Sequence, residues 1–315
     1  MGEIYPQAEI SKTTGAPLAH TAAMNFDLAA AQSFMASQAR VLDRRRLELL
    51  LDRGDPAAVL AAVDAYRNPD GGSSWGLEPD LRATESQIGG AYHAFEVFAD
   101  VAPSTTPRVL ELCDWLESVT LPDGGLPFGL PVSNPAGSAP FWANADPTVS
   151  SLQLSAFVTG TAHRVAAHDP AVAAHPWLAR ATDYCLAAID VVDDAPFAIE
   201  LAAAVTFLDA VHDVRPEAAP LLERLGEHIP ADGLVPVTQG AAGETMRALD
   251  FAPYPGWPAR QLFGKEAIDA DLRRLADGQQ DDGGWRVDFQ NYSPAAELEW
   301  RGYMTVRAVA ILRRN

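Results

Sequence analysis

Three aspartates stand where the sequence could do acid–base chemistry. Asp146 lies in "APFWANADP" (139–147), among aromatic and small residues. A carboxyl in apolar surroundings holds its proton more tightly, because its charged form loses hydration. A neutral acid beside an apolar cavity can protonate an alkene. On these grounds Asp146 is the first candidate for a catalytic acid. Asp250 lies in "MRALDFAPYPGWPARQLF" (246–263), read as the end of a short helix. The helix dipole disfavours a carboxylate there, so Arg260 or Arg247 is expected to hold it. Asp80 lies in "WGLEPDLRATESQ" (75–87), with Glu78, Arg82 and Glu85 beside Trp75. A second charged and aromatic stretch, "FQNYSPAAELEWRG" (289–302), adds Tyr292, Glu297, Glu299, Trp300 and Arg301. Both stretches read as long loops, and loops on rigid scaffolds carry function.

The catalytic candidates are therefore Asp146, Asp250 and Asp80. The candidates for contact with a ligand are Trp75, Glu78, Trp142, Trp257, Tyr292, Glu299, Trp300 and Arg301. Aromatic faces stabilise cations, and they pack equally well on sugars. Asp80, Glu78 and Asp250 could instead form the carboxylate pair of a glycoside hydrolase, whose members sit ~5 to ~9.5 Å apart. Each aspartate also has a plain structural use. Asp146 before Pro147 is a strong helix N-cap. Thr84 and Gln87 form a capping box without help from Asp80. Asp193 and Asp194 complement a helix dipole.

Positioning these residues requires regular elements, and the glycines mark them. Four turns carry an Asp-Gly pair: "NPDGGSSW" (68–75), "LPDGGLPF" (121–128), "IPADGLVP" (229–236) and "QQDDGGW" (279–285). The aspartates Asp70, Asp123, Asp232 and Asp282 are spaced by 53, 109 and 50 residues. The double gap places a missing turn near residue 177, in "AAHPWLAR". The segments between turns have apolar residues at three- and four-residue steps, the helical period, and about ten helices are expected. Some, such as 216–229 and 267–279, are amphipathic. Others, such as 196–211 and 146–165, are apolar or small nearly all round and must be buried on all sides. This alternation predicts an all-α fold, a single-domain α/α barrel with inner and outer rings. Glycine in the left-handed conformation ends an outer helix at each turn. Gln280 is expected to bond the loose carbonyls of that helix end, and Trp285 to lid the turn.

Bulk properties exclude several classes. The 315 residues carry a formal charge of −19 and are 48% hydrophobic. Such a chain repels nucleic acid and anionic membranes and has ample material for a core. No stretch of apolar residues is long enough to span a bilayer. No signal peptide is legible in the first 20 residues, and residues 1–24 read as a flexible extension ahead of a domain at 25–315. Cys113 and Cys185 sit in apolar helical patterns and read as small buried hydrophobes. A cytoplasmic location is the expectation.

"QQDDGGW" resembles the QW motif of squalene–hopene and oxidosqualene cyclases, and "NPDGGSSW" looks like a degenerate copy with Asn68 for the Gln. The repeated Asp-Gly-Gly turns are similar to those of protein prenyltransferase β subunits. Through "YRNPDGGSSWGLEPDLR", "LDFAPYPGWPARQLF" and "QQDDGGWRVDFQNYSPAAELEWRGYMTVRA", the chain resembles single-domain prenyltransferase-like proteins of high-GC bacteria. The resemblance implies an α/α toroid of five to six helix pairs. It further implies an apolar, isoprenoid-like small-molecule substrate and an acid at the start of an inner helix, where Asp146 falls. The family's motifs are incomplete here. No D-x-D-D occurs, since "DVVDD" (190–194) has one residue too many, and no D-D-x-x-D occurs. "DYC" (183–185) matches half of a prenyltransferase zinc set, but no His follows at the required distance. The implied reaction is thus a metal-free, cofactor-free, acid-initiated (class II-like) cyclisation. A toroid that only binds a lipid or a partner, and a carbohydrate-active toroid, are the alternatives.

Overall fold

A computed structural model describes residues 26–192, 196–238 and 240–315. The expected extension at 1–24 and the capping aspartates Asp193 and Asp194 lie outside the described residues. Fourteen α-helices are present among those described, joined by a single two-stranded ribbon at Val235–Pro236 and Thr245–Met246. The all-α expectation holds, and the number of helices exceeds ten for two reasons. Two helices, α6 (Pro140–Ala143) and α8 (Pro170–Ala173), are single turns between the expected helices, while α12 (Ala248–Phe251) is the short helix expected around Asp250. Two more, α1 (Leu28–Gln38) and α2 (Val41–Leu50), precede the first repeat.

Sequence neighbours are spatial neighbours. The helix α3 (Pro56–Val63) packs on α4 (Ile88–Asp100), and α4 packs on α5 (Arg108–Val119) and α7 (Leu152–Ala166). In turn α7 contacts α9 (Pro176–Asp190) and α10 (Ala198–Val211), and α10 contacts α11 (Ala218–Gly226) and α12. Then α12 meets α13 (Lys265–Asp277), and α13 meets α14 (Pro294–Arg314). Finally α14 packs against α1 and α2, and α2 packs against α3 and α4.

Burial follows the sequence pattern. On α10, Leu201 through Val205, Phe207 and Leu208 are all buried, as an apolar-all-round helix requires. On α11 only Ala218, Leu221, Leu222 and Leu225 are buried, the single stripe of an amphipathic helix. Gly160 lets α7 approach α10 closely: a Cβ there would lie 3.0 Å from the Cα of Phe207. Any side chain at 160 would push the two most buried helices apart.

The four Asp-Gly turns share one geometry. The first oxygen of Asp70, Asp123, Asp232 and Asp282 accepts the backbone N–H two residues on. The glycine after each aspartate has positive φ, between 72° and 94°. In the last turn, Gln280 donates to the Gly278 carbonyl at the end of α13 at 2.8 Å. Trp285 is 2% exposed, and its indole N–H donates to the Leu275 carbonyl at 2.6 Å. The roles expected for both residues are therefore present. Gln279 adds a link the sequence does not suggest, bonding the Gly283 carbonyl and both backbone groups of Asp27 ahead of α1. In the degenerate first copy, the Trp75 indole donates to Asn68 Oδ1 at 2.7 Å.

Candidate functional site: an aromatic cavity holding a buried aspartate

Four helices run in the same direction and present two cavities, one toward each end. Residues at or before their N-terminal halves line the first: Glu78 and Asp80 before α4, Trp142 and Gln153 at α7, Phe197 and Ile199 at α10, Trp300 on α14. Residues further along the same helices line the second: Glu96 on α4, Arg164 on α7, Asp209 on α10, Arg307 on α14.

The first cavity has a volume of about 520 Å³. Seven aromatic rings wall it: Phe128, Phe141, Trp142, Phe197, Phe289, Tyr292 and Trp300. All but Phe197 pack on another aromatic ring. The Phe128 and Trp142 centroids lie 4.6 Å apart, Phe141 and Tyr292 5.6 Å, Phe289 and Trp300 5.2 Å. Such edge-to-face and tilted pairs hold the walls rigid.

Asp80 is 3% exposed and faces this cavity. Its Oδ2 accepts the Trp300 indole N–H at 2.8 Å, while Oδ1 makes no well-formed hydrogen bond among the described residues. Burial pushes its pKa up to about 6; the Trp300 bond opposes that rise and the charge of Glu78 adds to it. The nearby Tyr292 backbone N–H and Arg82 charge oppose it as well. A buried carboxyl oxygen without a protein donor is costly when charged, and is satisfied by carrying a proton or by meeting water or a ligand in the cavity it faces.

Glu78, next to it, is fully engaged. Its Oε1 accepts the Asp80 backbone N–H at 3.0 Å, and its Oε2 meets His93 Nε2 at 2.7 Å. His93 Nδ1 meets Glu96 at 2.7 Å, and Glu96 accepts the Tyr303 hydroxyl at 2.7 Å. Burial pulls the His93 pKa down, but the charge of Glu96 and the bonds to Glu78 and Glu96 outweigh it and raise it to about 9. An imidazolium clamped by two carboxylates thus separates the two cavities.

The structure sorts the other candidates. Trp142, Tyr292, Trp300, Glu78 and Asp80 come together in the aromatic cavity. Asp146 does not. Its carboxyl is solvent-exposed in a turn, bonding the Thr148 backbone and hydroxyl, which hold its pKa below the usual value. The helix expected to begin there begins at Leu152, and Ser151 caps it. The raised pKa expected for Asp146 is therefore found at Asp80. Asp250 is also elsewhere. It is the penultimate residue of the single-turn α12, at the end of a short helix as expected. Its partners are Arg307 at 2.9 Å and the Arg247 backbone N–H at 2.8 Å, not the side chains expected. Asp250 and Trp257 line the second cavity, apart from Asp80 and Glu78.

Trp75 is half exposed beside its own turn. Glu299 forms an ion pair with Arg82 at 2.9 Å, and Arg301 bonds Asp282 at 2.6 Å over the Phe34 ring. All three stand outside both cavities. The segment 294–302, read as a loop, is the first part of α14. Gln87 is not part of a capping box; it stands at the N-cap of α4, and its side chain bonds the backbone of Leu130.

The sequence reading missed His93 and Glu96. They stand three apart on α4 in "GAYHAFE", on one helix face, and that spacing is the one signal it carried. It also missed Phe289 and Phe197, which no local pattern distinguishes.

Nothing gathers a metal set: among the described residues no group of three His, Cys, Asp or Glu is so placed. Asp183 bonds Arg215 on the surface while Cys185 is buried against Thr159, so the "DYC" pair points two ways. Burial lifts both cysteine thiols to about 12, which leaves them inert. No described helix is long and apolar enough to cross a membrane.

No family model matches the chain, and no curated protein matches it. Among solved structures it is similar to one titled "Crystal structure of a protein from Actinoplanes". That likeness has a TM-score of 0.51 and 15% identity, and covers 91% of this chain and 98% of the other. It is a likeness of fold.

Proposed function

We propose that the chain is an α/α toroid whose aromatic cavity takes an apolar, isoprenoid-like substrate, and that Asp80 protonates an alkene of that substrate to start a cyclisation. The observation that carries this reading is the Oδ1 of Asp80, with no well-formed hydrogen bond among the described residues, inside a wall of aromatic rings. Support for the toroid comes from the run of contacts between successive helices and from α14 meeting α1 and α2.

In the first step the Asp80 O–H bond breaks and a C–H bond forms, leaving a tertiary carbocation on the substrate and a carboxylate on Asp80. Trp300 donates to Oδ2 throughout, so the proton sits on Oδ1, the oxygen left free. The indole bond strengthens as the carboxylate forms. Faces of Trp142, Tyr292 and Trp300 stabilise the cation as it moves. Loss of a proton from carbon to water, or capture of water, ends the reaction. Glu78 is no base for this step, because His93 and a backbone N–H occupy its oxygens. The same separation argues against paired-carboxylate hydrolysis by Asp80, Glu78 and Asp250, since Asp250 lines the other cavity.

Gas chromatography–mass spectrometry of products tests this. Purified protein is incubated with farnesyl and geranylgeranyl alcohols, their diphosphates, and squalene. The expected result is a cyclised product lost in Asp80→Asn and retained in Asp146→Ala. A product unaffected by Asp80→Asn would overturn the role of Asp80. Tight binding of these compounds without turnover would make the cavity a lipid-binding site instead.

A further inference from the structure

The second cavity has no part in that chemistry. It is larger, about 650 Å³, and opens at the C-terminal ends of the same four helices. Its volume lies within the ~300–1,000 Å³ of small-molecule sites.

Its walls are built from arginine–carboxylate pairs. Arg46 bonds Asp100 at 2.7 Å, Arg164 bonds Asp209 at 3.0 Å and Arg307 bonds Asp250 at 2.9 Å. Aromatic rings hold two of these guanidiniums in place: Arg164 lies 3.5 Å from the Trp257 centroid, and Arg46 5.5 Å from that of Tyr303. Each guanidinium carries five N–H donors in a fixed plane. Among the described residues Arg46 uses Nε alone for hydrogen bonding, and Arg164 and Arg307 use Nη2 alone. Fixed donors and fixed acceptors therefore alternate around one water-accessible space.

That alternation selects the ligand's chemistry. An anion would accept from the guanidiniums of Arg46, Arg164, Arg307 and Arg314 but meet the carboxylates of Glu96, Asp100, Asp209, Asp213 and Asp250 in the same walls. A cation would meet those four guanidiniums. A neutral ligand with adjacent hydroxyls satisfies both, accepting from the guanidiniums and donating to the exposed Asp100, one of whose oxygens makes no hydrogen bond among the described residues. Asp209 is buried with both oxygens taken and serves to hold Arg164. We infer that the polar cavity is a binding site for a neutral polyhydroxylated ligand, a mono- or disaccharide, separate from the aromatic cavity. The inference does not depend on the reaction proposed for Asp80.

Isothermal titration calorimetry on the full chain tests it, with glucose, galactose, mannose, N-acetylglucosamine, maltose, cellobiose and trehalose as probes. Inorganic phosphate and spermidine serve as the charged controls. At least one sugar is expected to bind at ~1 mM or tighter. Binding should weaken at least about tenfold in Asp100→Asn. Because Asp100 also holds Arg46, a second variant is needed. Ala210→Trp fills the cavity from α10 without touching an ion pair, and it should weaken binding to the same degree. Asp146→Ala, at an exposed position outside both cavities, should leave binding unchanged. Binding that survives Ala210→Trp overturns the site, as does binding of phosphate or spermidine in place of sugar. Absence of binding by every sugar up to ~50 mM overturns the ligand class.

Discussion

Asp80 and Asp146 show how completely surroundings decide what a carboxyl can do. Asp80 is buried, with the Trp300 indole on Oδ2 and an Oδ1 that makes no well-formed hydrogen bond among the described residues, and its pKa rises to about 6. Asp146 has water and two donors from Thr148, and its pKa falls. Only the first is partly protonated near neutral pH, which an acid catalyst requires. Asp146→Ala should leave the unfolding midpoint nearly unchanged, since substitutions at exposed positions away from special features rarely matter. Urea unfolding of the two proteins checks this. The aromatic richness of "APFWANADP" was legible, and Trp142 does line the cavity. The direction of the neighbouring aspartate was not. Three residues separate Trp142 from Asp146, and a single-turn helix followed by an open turn leaves one buried and the other exposed.

At the scale of elements, the glycine turns did what their sequence announced, because their geometry is local. A left-handed glycine and an aspartate bonding two residues ahead need nothing from elsewhere in the chain. Trp285 couples such a turn to the packing. It is 2% exposed, and it ties off the Leu275 carbonyl and sits against Phe26. Trp285→Ala should cost about 3–5 kcal/mol, seen as a lowered denaturant midpoint with cavity binding in the native state preserved. A loss under 1 kcal/mol would mean the tryptophan is not a structural lid. The helix lengths were less legible. Reading α14 as a nine-residue-shorter helix hid the fact that Trp300 and Tyr303 share its surface. The charged run "AAELEWRG" has no apolar stripe of its own. It is helical because Ser293 caps it and because Arg301 and Trp300 find partners across the fold.

Across the whole molecule, the buried string Glu78–His93–Glu96–Tyr303 joins the two cavities and makes stability depend on pH. The folded-state pKa of His93 is about 9, above its unfolded value of ~6.5. The native state therefore binds that proton more tightly. Its contribution is fully present below ~6.5 and is lost as pH rises through about 9. Stability should fall by a few kcal/mol between those limits, and His93→Gln should flatten that part of the profile. Asp80 acts in a lower window. Its folded pKa of about 6 also exceeds its unfolded ~3.9, so its contribution is present below ~4 and is lost as pH rises through about 6. This long-range wiring was invisible in the sequence, because Glu78 and Tyr303 lie at opposite ends of the chain. The most direct test of the account is the titration of Asp80 itself, by carboxyl-carbon NMR with Asp80→Asn to assign the signal. The account requires a midpoint near 6 that moves higher in Trp300→Phe, where the opposing hydrogen bond is gone. A midpoint in the ordinary carboxylate range near ~4 would contradict it, because Asp80 would then hold no proton to give.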